Sequence, residues 1–165
     1  MARNRSRRQR SSGPDGDRRS EARERALLLL YESATKQVPV DEVLGAQVLE
    51  PDEPTVVLVR GVEALRADLD AAIAAHAHGW TLARMPLIDL TVMRIAGYEL
   101  LARRDVPVAV VIDEAVELAK RFSTDDSGRF VNGVLSALVP DLRPTDGPGA
   151  DDTSSTHDVE PRSGQ

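Results

Sequence analysis

The stretch Val106-Pro107-Val108-Ala109-Val110-Val111-Ile112-Asp113-Glu114-Ala115-Val116-Glu117-Leu118-Ala119-Lys120-Arg121-Phe122 decides the fold. Its opening, Val106 to Ile112, is β-branched enough to pass for a buried strand. Its continuation is not. Val108, Ile112, Ala115, Leu118, Ala119 and Phe122 extend one apolar stripe, at helical spacing, through Asp113, Glu114, Glu117, Lys120 and Arg121. Length also favours a helix, and Pro107 suits its first turn, where a missing N–H costs no hydrogen bond. The spacing predicts a helix from Pro107 to about Phe122. No second strand candidate exists elsewhere, so a sheet would have nothing to pair with and the fold class is all-α.

Working outward, the same period recurs between turn signals. Pro86 opens a helix to about Arg104, preceded by a turn at Thr81 and a stop at Gly79. Val59, Val62, Leu65, Leu69 and Ile73 lie three and four apart, which predicts one helix over Thr55 to Ala77. Asp41 can cap a short helix through Leu49, and Ser20 can cap the Ala- and Leu-rich run Ala22 to Ala34. After a turn over Ser123 to Ser127, a last helix is expected from Gly128 to Leu138. Residues 1–18 carry almost no apolar side chain and are expected to be a disordered Arg-rich arm. Residues 140–165, with Pro140, Pro144, Pro148 and six carboxylates, are expected to be a disordered acidic tail. The folded domain is thus read as residues 19–139.

Composition narrows the function. The 165 residues include no cysteine, which excludes disulfides, thiolate metal sites and a cysteine nucleophile. No run approaches the roughly 18 apolar residues of a membrane span, and no apolar segment follows the N-terminal arginines as in a signal peptide. A cytoplasmic protein without membrane association is expected. Net charge is −6, yet residues 1–25 hold nine basic and four acidic groups, against ten and seventeen over 26–139. Any polyanion site should therefore be local to the basic end.

Catalytic constellations are missing from the sequence. There is no glycine-rich phosphate loop, nucleophile elbow or helical His pair. His76 and His78 are two apart and point to different faces of a helix, which suits interaction with a helix end better than chelation. Asp113, Glu114 and Glu117 read as a solvated face, Glu117 pairing with Lys120 or Arg121. The expectation is a non-enzyme with no metal and no cofactor.

Two groups of residues suit RNA. Arg18, Arg19, Arg23 and Arg25 stand where the arm becomes helix, and guanidinium groups grip phosphate and stack on bases. Gly128 and Gly133 bracket the start of the last helix, where backbone N–H groups can hold an anion. Beside them Arg129 offers a phosphate contact, Phe130 a stacking face and Asn132 an amide. Taken alone, Phe130 reads more readily as core.

Read as text, Val110 to Phe122 followed by Asp126-Ser127-Gly128-Arg129-Phe130-Val131-Asn132-Gly133-Val134-Leu135 resembles the C-terminal signature of the NusB family. Met93-Arg94-Ile95-Ala96-Gly97-Tyr98-Glu99-Leu100, with Asp105-Val106-Pro107, resembles its preceding block, and Ala22-Arg23-Glu24-Arg25-Ala26 through Tyr31 its opening helix. The resemblance implies a bundle of about seven helices in two small subdomains. It also implies a transcription antitermination factor that binds the boxA element of RNA together with ribosomal protein S10 (NusE) and helps RNA polymerase read through terminators, notably on ribosomal RNA operons. By position, Arg19 and Arg23 match the RNA-meeting start, Arg129 and Phe130 lie near RNA, and Asp89 and Asp126 fall on the S10-facing side. Some members self-associate, so a homodimer is among the implications. The rival reading is a helical protein-interaction module without RNA. Under the RNA reading, Arg19, Arg23, Arg129 and Phe130 are expected to meet on one surface.

Overall fold

Residues 13–144 are described by the computed structural model. Among them the chain forms seven α-helices and no strand: α1 (Pro14–Lys36), α2 (Val40–Gly45), α3 (Glu53–Ala64), α4 (Arg66–His76), α5 (Leu87–Ala102), α6 (Val108–Phe122) and α7 (Asp125–Leu142). A single 3-10 turn, Leu82–Arg84, lies between α4 and α5. The deciding stretch is α6, with Pro107 immediately before it and Val111, Ala115, Leu118 and Ala119 buried along one face.

α5 is the axis of the fold. Leu90, Thr91, Val92, Met93, Ile95, Ala96, Gly97 and Leu100 are buried on all its sides, which a helix tolerates only when neighbours surround it. Here α1, α3, α4, α6 and α7 all pack against it. The α6 and α7 hairpin is joined by Ser123 and Thr124 alone, so the two helices run antiparallel and pack along their length. No helix among the described residues is long and apolar enough to cross a membrane.

The helix boundaries depart from expectation in four places. α1 begins at Pro14, not at Ser20: Pro14 is pre-organised for the first turn, Asp15 and Asp17 face the positive end of the dipole, and Asp15 pairs with Arg19 one turn on. Ser20 is no cap; its hydroxyl donates to the Gly16 carbonyl and, at 2.7 Å, to Glu114 Oε2. The expected helix over Thr55 to Ala77 is two, because Leu65 leaves helical geometry at φ −107° and ψ 12° while the apolar spacing continues through the break. α2 stops at Gly45 rather than Leu49, leaving Val48 and Leu49 exposed.

α7 is longer at both ends than expected. Thr124 caps it by accepting from the Ser127 N–H at 3.1 Å, and the helix continues through Pro140 to Leu142. A proline there removes one intrahelical hydrogen bond. Beyond it Arg143 folds back, donating to the carbonyls of Glu99, Leu100, Arg103 and Val106 at 2.6–2.8 Å, which holds α7 onto the end of α5. His76 adds a contact at 2.6 Å to Asp141, again fixing this end of α7. The expected disordered arm and acidic tail fall largely outside the described residues; of their inner ends, 13–18 and 140–144, residues 14–18 and 140–142 are helical.

Candidate nucleic-acid interface

The arginines at the start of α1 do different things. Arg18 is exposed, and Arg19 is half-buried and bridged to Asp15 at 3.1 Å. Both line a groove of about 360 Å³ with Glu53, Val57 and Arg103. Arg103, in the α5–α6 connection, donates to both Asp105 oxygens at 3.2 and 3.3 Å. That hydrogen bond holds the Asp105 carboxyl below its ordinary range and raises the Arg103 guanidinium further.

Arg23 is the clearest correction to the sequence reading. It is only 3% exposed, and its Nε and one Nη donate to the two Glu99 oxygens at 2.8 Å each, a bidentate pair inside the core. Its other Nη lies 3.7 Å from Glu114 Oε2. The guanidinium thus joins α1 to α5 and α6 and offers no hydrogen bond to a phosphate. Arg25 turns elsewhere, donating to the carbonyls of Leu49 and Glu50 and so pinning the α2–α3 loop. Glu114 belongs to this network, while Glu117 pairs with Lys120 at 3.9 Å and Arg121 with Glu24 at 2.6 Å.

A second site forms at the other end of α5. Trp80, Pro86, Asp89, Asp126, Phe130 and the hydroxyls of Thr124 and Ser127 line a pocket of about 270 Å³. The Trp80 and Phe130 rings are tilted by 56° with centroids 5.8 Å apart. Asp89, from the first turn of α5, is 2% exposed, and its Oδ1 has no hydrogen-bond partner. Asp126 stands exposed in the first turn of α7. Three sequence candidates, Asp89, Asp126 and Phe130, therefore share one pocket. Trp80 was missed, since it sits in a loop where no periodicity marks it.

Gly128 does not cradle an anion either. α7 has already begun at Asp125, and Gly128 lies against the Lys120 stem, where a Cβ would collide with Cγ and Cε. Arg129 and Asn132 are exposed on the same helix.

The expected single surface is not formed by Arg23 and Phe130. Arg23 meets Glu99 near the end of α5, whereas Phe130 meets Asp89 at its start. Ten residues of helix separate those positions, about 15 Å. The structure instead offers an arginine groove at one end of α5 and an aromatic, acidic pocket at the other, with exposed Arg129 beside the pocket.

Among the described residues no cluster of His, Asp and Glu could hold a metal ion.

Comparison with known proteins agrees with this architecture. A model described as the NusB family matches residues 20–140. The transcription antitermination protein NusB of Saccharopolyspora erythraea is 52% identical over 127 residues, spanning 73% of this chain and 86% of the relative. The solved NusB of T. maritima superposes with a TM-score of 0.70 at 30% identity, over 76% of this chain and 93% of that one. A chain in the crystal structure of antitermination factors NusB and NusE in complex with dsRNA reaches a TM-score of 0.64 at 24% identity, over 74% and 96%, a likeness of fold. With the family model covering most of the sequence and a relative more than half identical across 86% of its length, the chain belongs to the NusB family.

Proposed function

We propose that this chain is a transcription antitermination factor that binds a boxA-type RNA together with ribosomal protein S10, and so promotes read-through by RNA polymerase, notably on ribosomal RNA operons. Family membership supports the class of activity. The observation that carries the reading is the placement of the exposed Arg18: with half-buried Arg19 and Arg103 it lines a groove at one end of α5, beside Asp15 and Glu53, while Asp89 and Asp126 line the pocket at the other end. A polyanion and a basic protein can then be held at once without competing for one surface.

In this reading Arg18, Arg19 and Arg129 contact phosphates. Arg23 and Arg25 act through the fold, and Asp89 and Asp126 face the protein partner. An extended single strand is long enough to bridge the two ends of α5, which compact duplex contacts would not require.

Fluorescence anisotropy of a labelled boxA oligonucleotide tests this, with the wild-type chain and an Arg18→Ala/Arg19→Ala variant, each with and without S10. The variant should bind RNA more weakly and retain S10. Unchanged RNA affinity would reject the arginine assignment. Capture of S10 with no RNA binding by either protein would leave a protein-interaction module instead.

A further inference from the structure

Arg143 fixes the place where the chain leaves the folded body. Its guanidinium donates to the carbonyls of Glu99, Leu100, Arg103 and Val106, at the end of α5 and in the connection after it. The Arg103 side chain is also a wall of the groove that holds Arg18 and Arg19, and Val106 lines a small adjoining cavity that shares Arg19, Pro54 and Arg103 with that groove. One side chain therefore sets the start of the C-terminal segment beside the arginine groove.

Charge and reach then favour an encounter between the two. Residues 145–165 lie beyond the described residues and carry five carboxylates, Asp146, Asp151, Asp152, Asp158 and Glu160, against one arginine, Arg162. Asp146 follows Arg143 by three residues, a reach of up to about 10 Å, and Asp151 and Asp152 follow by eight and nine, a reach of up to about 30 Å. In the groove Asp15 engages Arg19, and Arg103 turns to Asp105. Exposed Arg18 makes no ion pair among the described residues, and neither does exposed Arg104 next to Arg103. Carboxylates tethered this close act at an effective concentration on the order of millimolar, so even weak contacts with these cations are populated.

We propose that the acidic segment 145–165 folds back into the arginine groove and covers it against RNA. Its carboxylates take the place of phosphates at Arg18 and along the Arg103 and Arg104 edge. A strand held by the groove alone is then displaced, whereas one that also engages Arg129 at the far end of α5 competes successfully. The competition rests on the reading that this groove meets RNA; the docking of the segment does not.

The chain has no cysteine, so Ser155→Cys in the full-length protein carries a single nitroxide label. Relaxation enhancement in ¹⁵N spectra should broaden the amides around Arg18, Arg19, Arg103 and the start of α3, and the effect should disappear at about 1 M salt, where charges are screened within about 3 Å. It should also disappear when Asp146, Asp151, Asp152 and Asp158 are changed to Asn and Glu160 to Gln in the labelled chain. Broadening spread evenly over the surface, or centred away from the groove, overturns the proposal. So does broadening of ¹⁵N protein by a nitroxide on unlabelled protein in a mixed sample, which would place a second copy's segment in the groove.

Anisotropy of a labelled boxA oligonucleotide then measures the competition. The neutralised full-length chain should bind about fivefold more tightly than wild type at about 50 mM salt, the gain expected if the segment covers the groove about four-fifths of the time. Equal affinity of the two proteins overturns the proposal and leaves the RNA reading standing. Groove broadening with no RNA binding by either protein overturns the RNA reading and leaves the docked segment standing.

Discussion

At the scale of single residues, the sequence could not distinguish arginines by fate. Arg19 and Arg23 lie one turn apart, yet one faces a groove and the other is sealed between Glu99 and Glu114. Replacing Arg23 by leucine strands two carboxylates, and such a loss typically costs about 3–5 kcal/mol. Urea unfolding should show a loss of that size, with much of it recovered in Arg23→Leu/Glu99→Leu; a drop below about 1 kcal/mol would mean the pair does not hold the helices together. Glycines show the same dependence on surroundings. At Gly61 an added methyl runs into the Tyr98 ring, so Gly61→Ala should destabilise by about 1–3 kcal/mol. At Gly133 the space is open, and Gly133→Ala in α7 should be neutral or stabilising by up to about 1 kcal/mol. Thermal unfolding of the two variants side by side checks the opposite signs.

At the scale of helices, existence and type were legible and ends were not. α5 and α6 appear close to where periodicity placed them, because long apolar stripes leave little choice of face. α7 was underestimated because Pro140 reads as a stop, while the contacts that keep the helix going come from elsewhere: His76 on α4 and the carbonyls that Arg143 gathers from α5 and its following turn. Arg143→Ala should cost roughly 1.5–3 kcal/mol, the range for hydrogen bonds to a charged group. Hydrogen exchange should rise selectively in the last turns of α7 and at the end of α5; unchanged protection there would show that packing of Leu138 and Leu142 suffices. At the other end, Thr124→Ala should cost about 1 kcal/mol by removing the cap on the Ser127 N–H, measured by urea unfolding.

At the scale of the whole molecule, the folded body places a groove with three arginines and two carboxylates at one end of α5 and a pocket with two carboxylates at the other. If Arg18, Arg19 and Arg129 each neutralise one phosphate of single-stranded RNA, the logarithm of the binding constant should fall against the logarithm of salt with a slope of about −2. Arg18→Ala should flatten it by about 0.7, and a slope near zero would remove phosphate contacts from the account. Composition and periodicity by themselves determined the all-α class, the lack of disulfide chemistry and the basic start, because these follow from residue types and local spacing along one chain; the family resemblance came from the residue text of α1, α5, α6 and α7. Tertiary structure alone decided which arginine is buried, that Trp80 joins Phe130 and Asp89, and that the arginine groove and the pocket lie at opposite ends of α5. A side chain's exposure and partners depend on elements far away in sequence, and spacing within one helix carries no record of them.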